Sequence, residues 1–293
     1  MKGLFLKSVV SILTIAFFAG CSTKEIATSK KEKISEQQNI TDNKSVQNNA
    51  DGRYTDFING KIPVDISNVY QLNTDFKISE IASKDDYSLN ELDELICDNI
   101  PYYDNSAKTD IDYEIIDCGE DGQNELLVKM SMNGASQNGY CTYLVIKIID
   151  DNLQLKFACT GDDKYPVFID ENGYLTEGGS AGACQYNCSY GYLDANVQWT
   201  QIYEEYYFLD MITFSEYLND KGFNVDLSGE EWTQLQAEVY FIDDEEYILY
   251  SKVDENGVWD ESIYDTNSEY KKYFESRGIK TYSKDEIEEL VQE

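Results

Sequence analysis

The sequence of 293 residues contains no histidine. That absence removes a Ser-His-Asp triad, a Cys-His dyad and any His-ligated zinc or iron site. Basic residues are scarce too, with 23 Lys plus Arg against 56 Asp plus Glu and a net charge of −33. A nucleic-acid partner is excluded on that ground, because phosphate binding needs clustered cations that displace counterions. No Cys-x-x-Cys pair occurs, which leaves zinc-ribbon and thioredoxin readings without support. There is no repeat of fixed period, and only three prolines. What is present suffices for a core: 42% of the residues are hydrophobic and 13% aromatic, over a length that suits one large domain or two small ones.

Lys2 and Lys7 precede the apolar run Val9 to Gly20, and no acid interrupts them. This is the layout of a signal peptide, and the run is shorter than the roughly 20 residues a membrane-spanning helix requires. Phe18-Ala19-Gly20-Cys21 resembles the lipobox of bacterial lipoproteins. The resemblance implies that residues 1–20 are a lipoprotein signal peptide. It also implies that Cys21 receives a diacylglycerol thioether and becomes the mature N-terminus on the extracytoplasmic face of the cell membrane. The bland alternative is a secreted protein with an ordinary signal and an incidental cysteine.

Charge divides the rest. Residues 22–52 hold five lysines and five acids, so the excess acid falls on 53–293, with 16 basic and 51 acidic residues. Residues 21–52 carry no aromatic side chain and are rich in Ser, Thr, Asn, Gln and Lys. Such a segment buries too little apolar surface to order itself, so a lipidated, disordered stalk is expected. Its Lys24, Lys30, Lys31 and Lys33 favour an anionic membrane surface, while the acidic body is repelled from it.

The body, 53–293, reads as α+β: an antiparallel β-meander flanked by short helices. Leu89, Leu92 and Leu95 form a helical stripe behind the capping-box pair Ser88 and Glu91. Alternating apolar runs predict strands at 112–117, 125–132, 141–149, 153–159, 165–169, 185–193 and 197–208. A two-residue loop at Asp150-Asp151 would pair Ile148 with Leu153, Ile146 with Leu155 and Leu144 with Phe157. That register sets Cys159 opposite Thr142 and turns Cys141 to the other face, against a Cys141–Cys159 disulfide. Further on, a helix is expected from Thr213 to Lys221, a hairpin from 238–243 and 247–253, and two helices, at Ser268 to Arg277 and after Ser283, where Glu286 completes a second capping box.

Asp117, Asp121, Gly122 and Glu125, in Asp-Cys-Gly-Glu-Asp-Gly-Gln-Asn-Glu-Leu, resemble the calcium loops of dockerin-like and integrin-like modules. Calcium takes six to eight oxygens, and the resemblance makes Asp117, Asp121 and Glu125 candidate ligands. Gly119 stands where a second Asp or Asn is expected and Val128 where an EF-hand has its last Glu, so an acidic hairpin turn is the alternative. Four blocks in order, Phe57 to Pro63, Ile116 to Leu126, Val145 to Asp150 and Gly173 to Ala183, resemble lipoproteins and secreted proteins of clostridial-type bacteria. That group has no established activity; the resemblance implies a surface location and a shared fold.

Gly178-Gly179-Ser180-Ala181-Gly182 satisfies the Gly-x-Ser-x-Gly string. The nucleophile elbow it suggests needs a histidine base and a strand running into a helix, so a flexible glycine-rich loop is expected instead. Six cysteines follow Cys21, an even number that suggests disulfides outside the cell. Cys184 and Cys188 are the candidate pair if the chain turns between them, and buried free thiols are the alternative. The run Trp199 to Phe208 offers either an aromatic face for sugar rings or peptide, or core.

Three functional readings follow. The first is a membrane-anchored, non-enzymatic binding or envelope-associated protein whose partner is another envelope protein, a wall polymer or a cation. The second is a carboxylate-dependent hydrolase acting on glycans, which requires two carboxylates about 5–10 Å apart in an aromatic-walled cleft. The third is an acidic surface protein without a defined small ligand. The first accords best with the tether.

Overall fold

The computed structural model describes residues 52–72, 74, 77–99, 108–133, 139–252, 263 and 268–292. The signal peptide, Cys21 and the stalk up to residue 51 lie outside the described residues. The elements run α1 (Gly52–Ile58), β1 (Val64–Asp65), β2 (Tyr70–Leu72), α2 (Ile78–Ile81), β3 (Asp86–Tyr87), α3 (Leu89–Asn99), β4 (Lys108–Ile116), β5 (Glu125–Asn133), β6 (Cys141–Ile149) and β7 (Asn152–Gly161). They continue β8 (Val167–Ile169), β9 (Tyr174–Ser180), β10 (Gln185–Leu193), β11 (Trp199–Phe208), α4 (Met211–Asp220), β12 (Leu235–Ile242), β13 (Glu245–Lys252), α5 (Glu269–Glu275) and α6 (Lys284–Gln292). The fold is α+β with short flanking helices, as expected, and its strands form two sheets, one of them an antiparallel meander. The first sheet is ordered β3-β1-β7-β6-β5-β4, with β2 also on β7; the second is a six-stranded antiparallel meander, β13-β12-β11-β10-β9-β8.

Strands β1 and β2 pair with β7 in parallel, a connection no alternation pattern announces. They sit on the sheet because α1 and α3 cover its outer face. Tyr54, Phe57, Leu92 and Ile96 pack there against Leu126, Val128, Leu144, Ile146 and Leu155. Both capping boxes form: Ser88 Oγ and N–H both reach Glu91 at 2.8 Å, and the Ser283 N–H reaches Glu286 at 2.7 Å. Helix α4 starts two residues before the expected Thr213 because the Asp210 carboxylate accepts the Thr213 N–H at 2.8 Å and so caps the helix from further upstream.

The opposite face of the first sheet is equally apolar. Leu127, Tyr143, Val145, Phe157 and Cys159 meet Val167, Leu175, Leu193 and Val197 of the second sheet. One irregularity in β7 makes this double burial work. Ile148 pairs with Leu153 and Ile146 with Leu155 as expected, but the register then shifts so that Val145 faces Phe157 and Tyr143 faces Cys159. Lys156 is the extra residue of a β-bulge, and the bulge turns Phe157 and Cys159 to the inter-sheet side. The expected pairing of Leu144 with Phe157 and of Thr142 with Cys159 is therefore corrected. Cys141 also lies on this side, and neither cysteine forms a disulfide.

Two-residue turns close the β6–β7 and β12–β13 hairpins. Asp150 and Asp151 have φ of 48° and 66°, and Asp243 and Asp244 have 51° and 65°. These are the left-handed values of a turn whose twist matches its strands, a geometry that Asn-Gly fills with less strain. Asp244 is exposed. Asp244→Gly is expected to stabilise the protein by about 0.5–1 kcal/mol, read as a higher urea midpoint at unchanged slope. A lower midpoint would mean that the Asp244 side chain contributes a contact outweighing the backbone relief.

Candidate functional site

In the acidic turn between β4 and β5 the Asp117 carboxylate turns to backbone N–H groups, while those of Asp121 and Glu125 approach Lys147. Asp117 accepts the N–H groups of Asp121 and Gly122 at 3.0 and 3.1 Å, and Asp121 accepts that of Gln123 at 2.7 Å. Glu125 is fully buried, accepts the Cys118 N–H at 2.9 Å and pairs with Lys147 of β6. Lys147 Nζ is also 4.0 Å from Asp121. Among the described residues no group of three or more His, Cys, Asp or Glu is placed to hold a metal ion. The Lys147 ammonium is the ion-pair partner of both Asp121 and Glu125. Burial pushes the Glu125 carboxyl above its ordinary range, against the pull of Lys147 and the Cys118 N–H.

This turn joins the two sheets. The Asp117 N–H donates to the Glu171 carbonyl at 2.9 Å, and Cys118 is buried beneath Gly173, where a Cβ would stand 3.1 Å from its sulfur. Gly119 backs onto the turn after β10, where a Cβ would lie 2.3 Å from the Ala195 nitrogen. The turn that carries the candidate calcium ligands thus clasps the two sheets together, through the Asp117 N–H, Cys118 and Gly119.

The stretch around Ser180 is strand, not a flexible loop. Gly178, Gly179 and Ser180 end β9 and pair with Cys188, Asn187 and Tyr186. The glycines admit close neighbours: a Cβ on Gly179 would come within 2.0 Å of the Lys164 carbonyl and 2.5 Å of the Tyr165 ring. That ring lies over the glycine, and its hydroxyl donates to the Ser180 carbonyl. Ser180 Oγ donates to the Gly182 carbonyl at 2.7 Å, and β10 rather than a helix follows. Cys184 and Cys188 are not brought together. The chain between them enters β10 without turning, an extended spacing of about 13 Å at roughly 3.3 Å per residue. All six cysteines from Cys97 to Cys188 are free thiols.

Chemistry gathers instead on one face of the second sheet. Along β11 and β12 the residues divide cleanly. Tyr206, Phe208, Ala237 and Val239 enter the core under α4 and α5. Tyr203, Glu205, Tyr207, Gln236, Glu238 and Tyr240 take the other face, with Glu205 opposite Tyr240 and Tyr207 opposite Glu238. A tyrosine ladder crosses this face. Ring centroids lie 6.0 Å apart for Tyr174–Tyr190, 5.4 Å for Tyr190–Tyr203 and 5.8 Å for Tyr203–Tyr240. Leu290 and Val291 of α6 pack along the ladder's edge.

Glu205 and Glu238 are diagonal neighbours across β11 and β12, a placement that sets backbones about 7–8 Å apart and lets side chains meet. The Tyr240 hydroxyl donates to Glu238 at 2.8 Å, and Tyr240 stands directly opposite Glu205 across the strands. Glu238 is 7% exposed. Glu205 keeps part of its surface accessible, yet burial is still the leading cause that pushes its carboxyl up, to about 8, with the Glu238 charge second. Burial raises Glu238 likewise, and the charge of Lys284 at the start of α6 pulls both back. Two carboxylates so placed share a proton near neutrality, because ionising both in a poorly solvated site is costly. Burial, then these carboxylates, push the hydroxyls of Tyr203 and Tyr240 upward, so the ladder stays neutral.

No protein-family model, curated protein or solved structure matches this chain. The likeness to clostridial-type lipoproteins therefore rests on the motif blocks alone. Sequence reasoning named Trp199 to Phe208 as a candidate aromatic face but missed the carboxylate pair. Glu205 and Glu238 occupy alternate positions of amphipathic strands, where a charge ordinarily marks the solvated side. The available signal was the tyrosine flanking each of them on its own face, Tyr203 and Tyr207 beside Glu205 and Tyr240 beside Glu238.

Proposed function

We propose that this protein is a lipid-anchored, extracytoplasmic binding protein of the bacterial envelope, and that the tyrosine-lined face of the second sheet receives its ligand. The observation that carries the reading is the Glu205–Glu238 pair, Glu238 buried and Glu205 partly accessible, on the same sheet face as the tyrosine ladder. A carboxyl pair held out of water lowers stability as pH rises, and groups so perturbed cluster at functional sites. The tether half rests on Lys2, Lys7, the run to Gly20 and the lipobox at Cys21. Among the described residues no helix is long and apolar enough to cross a membrane.

Cys21→Ala is expected to move the protein out of the membrane fraction or to leave an unprocessed precursor, seen by fractionation and intact mass. Membrane-bound, fully processed product from Cys21→Ala would overturn the tether. For the site, the purified full chain is screened by thermal melting against wall-polymer fragments and envelope peptides. At least one class should raise the midpoint of the native protein and not of Glu205→Gln, since a ligand stabilises the state it binds.

A second reading is favoured by the same pair. A carboxyl that keeps its proton beside a carboxylate that has lost it is the partition of roles found in glycoside hydrolases. Release of reducing ends from wall glycan, abolished in Glu238→Gln and Glu205→Gln alike, would select the hydrolase over the binding protein.

A further inference from the structure

We infer that helix α6 is a pH-governed cover of the tyrosine-lined face, seated while the Glu205–Glu238 pair keeps a proton and released when both carboxylates are charged. The inference names the regulation of the site proposed above and rests on that reading for its purpose, although the device itself needs no ligand. Its basis is the placement of the helix. Helices α4 and α5 cover the opposite face of the second sheet, and α6 is the described helix that lies on this one. The chain arrives over the edge of β13, where the Tyr282 N–H donates to the Ile248 carbonyl at 2.9 Å and the Tyr282 ring lies 5.0 Å from that of Tyr247. Beyond the capping box Ile287 is buried, and Leu290 and Val291 pack against Tyr190, Tyr203 and Ile242 while staying half-exposed. A nine-residue helix is thus held by a small apolar seat. A helix that short does not persist without its packing, and segments so lightly held open locally at low cost. With α6 in place Tyr190 is 6% and Tyr203 7% exposed, so a ligand reaches their rings only when α6 moves.

Charge supplies the drive. Helix α6 carries Asp285, Glu286, Glu288 and Glu289 against Lys284 alone, and it lies against the face that holds two more carboxyl groups. Across the strands Glu205 faces Cys188 of β10 and Tyr240 of β12, and Glu238 faces Tyr207 of β11 and Leu249 of β13. Tyr203 and Tyr247, each beside Tyr240, complete the surround. Burial holds Cys188, Tyr203, Tyr207 and Tyr240 above their ordinary range, so none of them charges before the pair does. Among the described residues the cation whose charge reaches the pair is Lys284. While one proton is shared, the two carboxyls carry a single charge that Lys284 balances. Loss of that proton leaves a second charge unbalanced beneath an acidic helix, and lifting α6 hydrates it. Lys284 pulls the other way, since a doubly charged pair attracts it more strongly. Burial prevails, because both carboxyls lie above their ordinary values in spite of that pull. A carboxyl raised in the closed state and ordinary in the open one favours closure fully below the ordinary value, and that contribution is lost as pH rises to the raised one. The window runs from 4.5 to about 8.

The test is amide hydrogen exchange of the full chain in detergent, without ligand, from pH 5.5 to 8, each amide corrected for its intrinsic rate. Release of about one proton per opening should raise the opening constant of the α6 amides by about tenfold between pH 6 and pH 8. The α4 amides, on the opposite face, report wider unfolding. At pH 8 α6 should be the less protected of the two helices, exchanging through an opening of its own. In Glu205→Gln/Glu238→Gln nothing ionises in the pair, so α6 should keep its pH 6 protection at pH 8 while α4 shows that the variant is folded. Three results would overturn the inference. Protection of α6 that stays level or rises with pH in the native protein would mean that Lys284 outweighs burial. Loss of protection in α6 and α4 together, to the same level, would place the cost of the pair on the whole fold. An equal pH slope in native protein and double variant would detach α6 from the carboxylates. In each of these cases wall fragments that still raise the melting temperature in a Glu205-dependent manner leave the binding reading standing. If α6 opens as expected and no fragment or peptide binds even at pH 8, the cover stands and the binding reading falls.

Discussion

Glu205→Gln should make the protein more stable at pH 8 and leave it almost unchanged at pH 4.5. The folded carboxyl holds its proton up to about pH 8, with burial the main cause and the Glu238 charge the second, whereas in the unfolded chain it ionises near the ordinary value of 4.5. Between those two values the folded state binds one more proton than the unfolded state. Stability therefore falls as pH rises through that window, by about 1.4 kcal/mol per pH unit for one fully shifted group. Partial access of Glu205 to solvent reduces this, and an accumulated loss of about 2–4 kcal/mol by pH 8 is expected. Glutamine has nothing to ionise, so the variant keeps the low-pH stability. Glu238 retains its own upward shift from burial, so the single variant shrinks the slope and Glu205→Gln/Glu238→Gln removes the share of it that this pair contributes.

The absence of histidine makes this experiment clean. In most proteins the interval from pH 5.5 to 8 is dominated by imidazoles; here there are none, and burial pushes Cys118, Cys159 and Cys188 well above the window. Glu125 and Asp170 are also held above their ordinary values, so the readout is the difference between native and variant urea midpoints rather than the native slope alone. Parallel pH profiles for native protein and double variant would mean that both carboxylates are hydrated and ionised. The site described above would then lose its electrostatic basis.

How far the sequence revealed this arrangement depends on the range of each interaction. Elements set by local signals were legible: the capping residues of α3 and α6, the acidic hairpin turns, and β6 and β10, which span 141–149 and 185–193 as expected. Features set by distant contacts were not. The bulge at Lys156 arises because the first sheet is covered on both faces, and only then does turning Phe157 away from Leu155 bury both side chains. Strand β9 was hidden because Gly178 and Gly179 carry low strand propensity; their need for small size comes from Lys164, Tyr165 and Cys188. The carboxylate pair was masked by the same logic, since alternation tells which residues share a face but not whether anything covers that face. In the 117–125 turn the residues were identified as a cluster, and the partner that decides their role, Lys147, lies on β6 where its surroundings read as an ordinary strand.

Lys147→Met supplies the corresponding test of the clasp. Removing the ammonium leaves Glu125 fully buried with the Cys118 N–H as its remaining partner, and breaking one side of a buried pair typically costs about 3–5 kcal/mol. Urea unfolding should show a loss of that size. The loss comes from the stranded charge rather than from the pair's own net attraction, so Glu125→Gln/Lys147→Met should recover most of it. A structural consequence accompanies the energetic one. The turn that Glu125 anchors holds Cys118 under Gly173 and hands the Asp117 N–H to Glu171, so loosening it should let the two sheets part locally. Cys118, buried in the native protein, should then react with a thiol reagent in Lys147→Met under conditions where the native chain and the double variant are protected. Two results would overturn this account. If Lys147→Met is as stable as the native protein, Glu125 already has another route to neutrality. If calcium raises the native melting temperature and Lys147→Met raises it further, the lysine is a displaceable stand-in, and the acidic turn is a metal site after all.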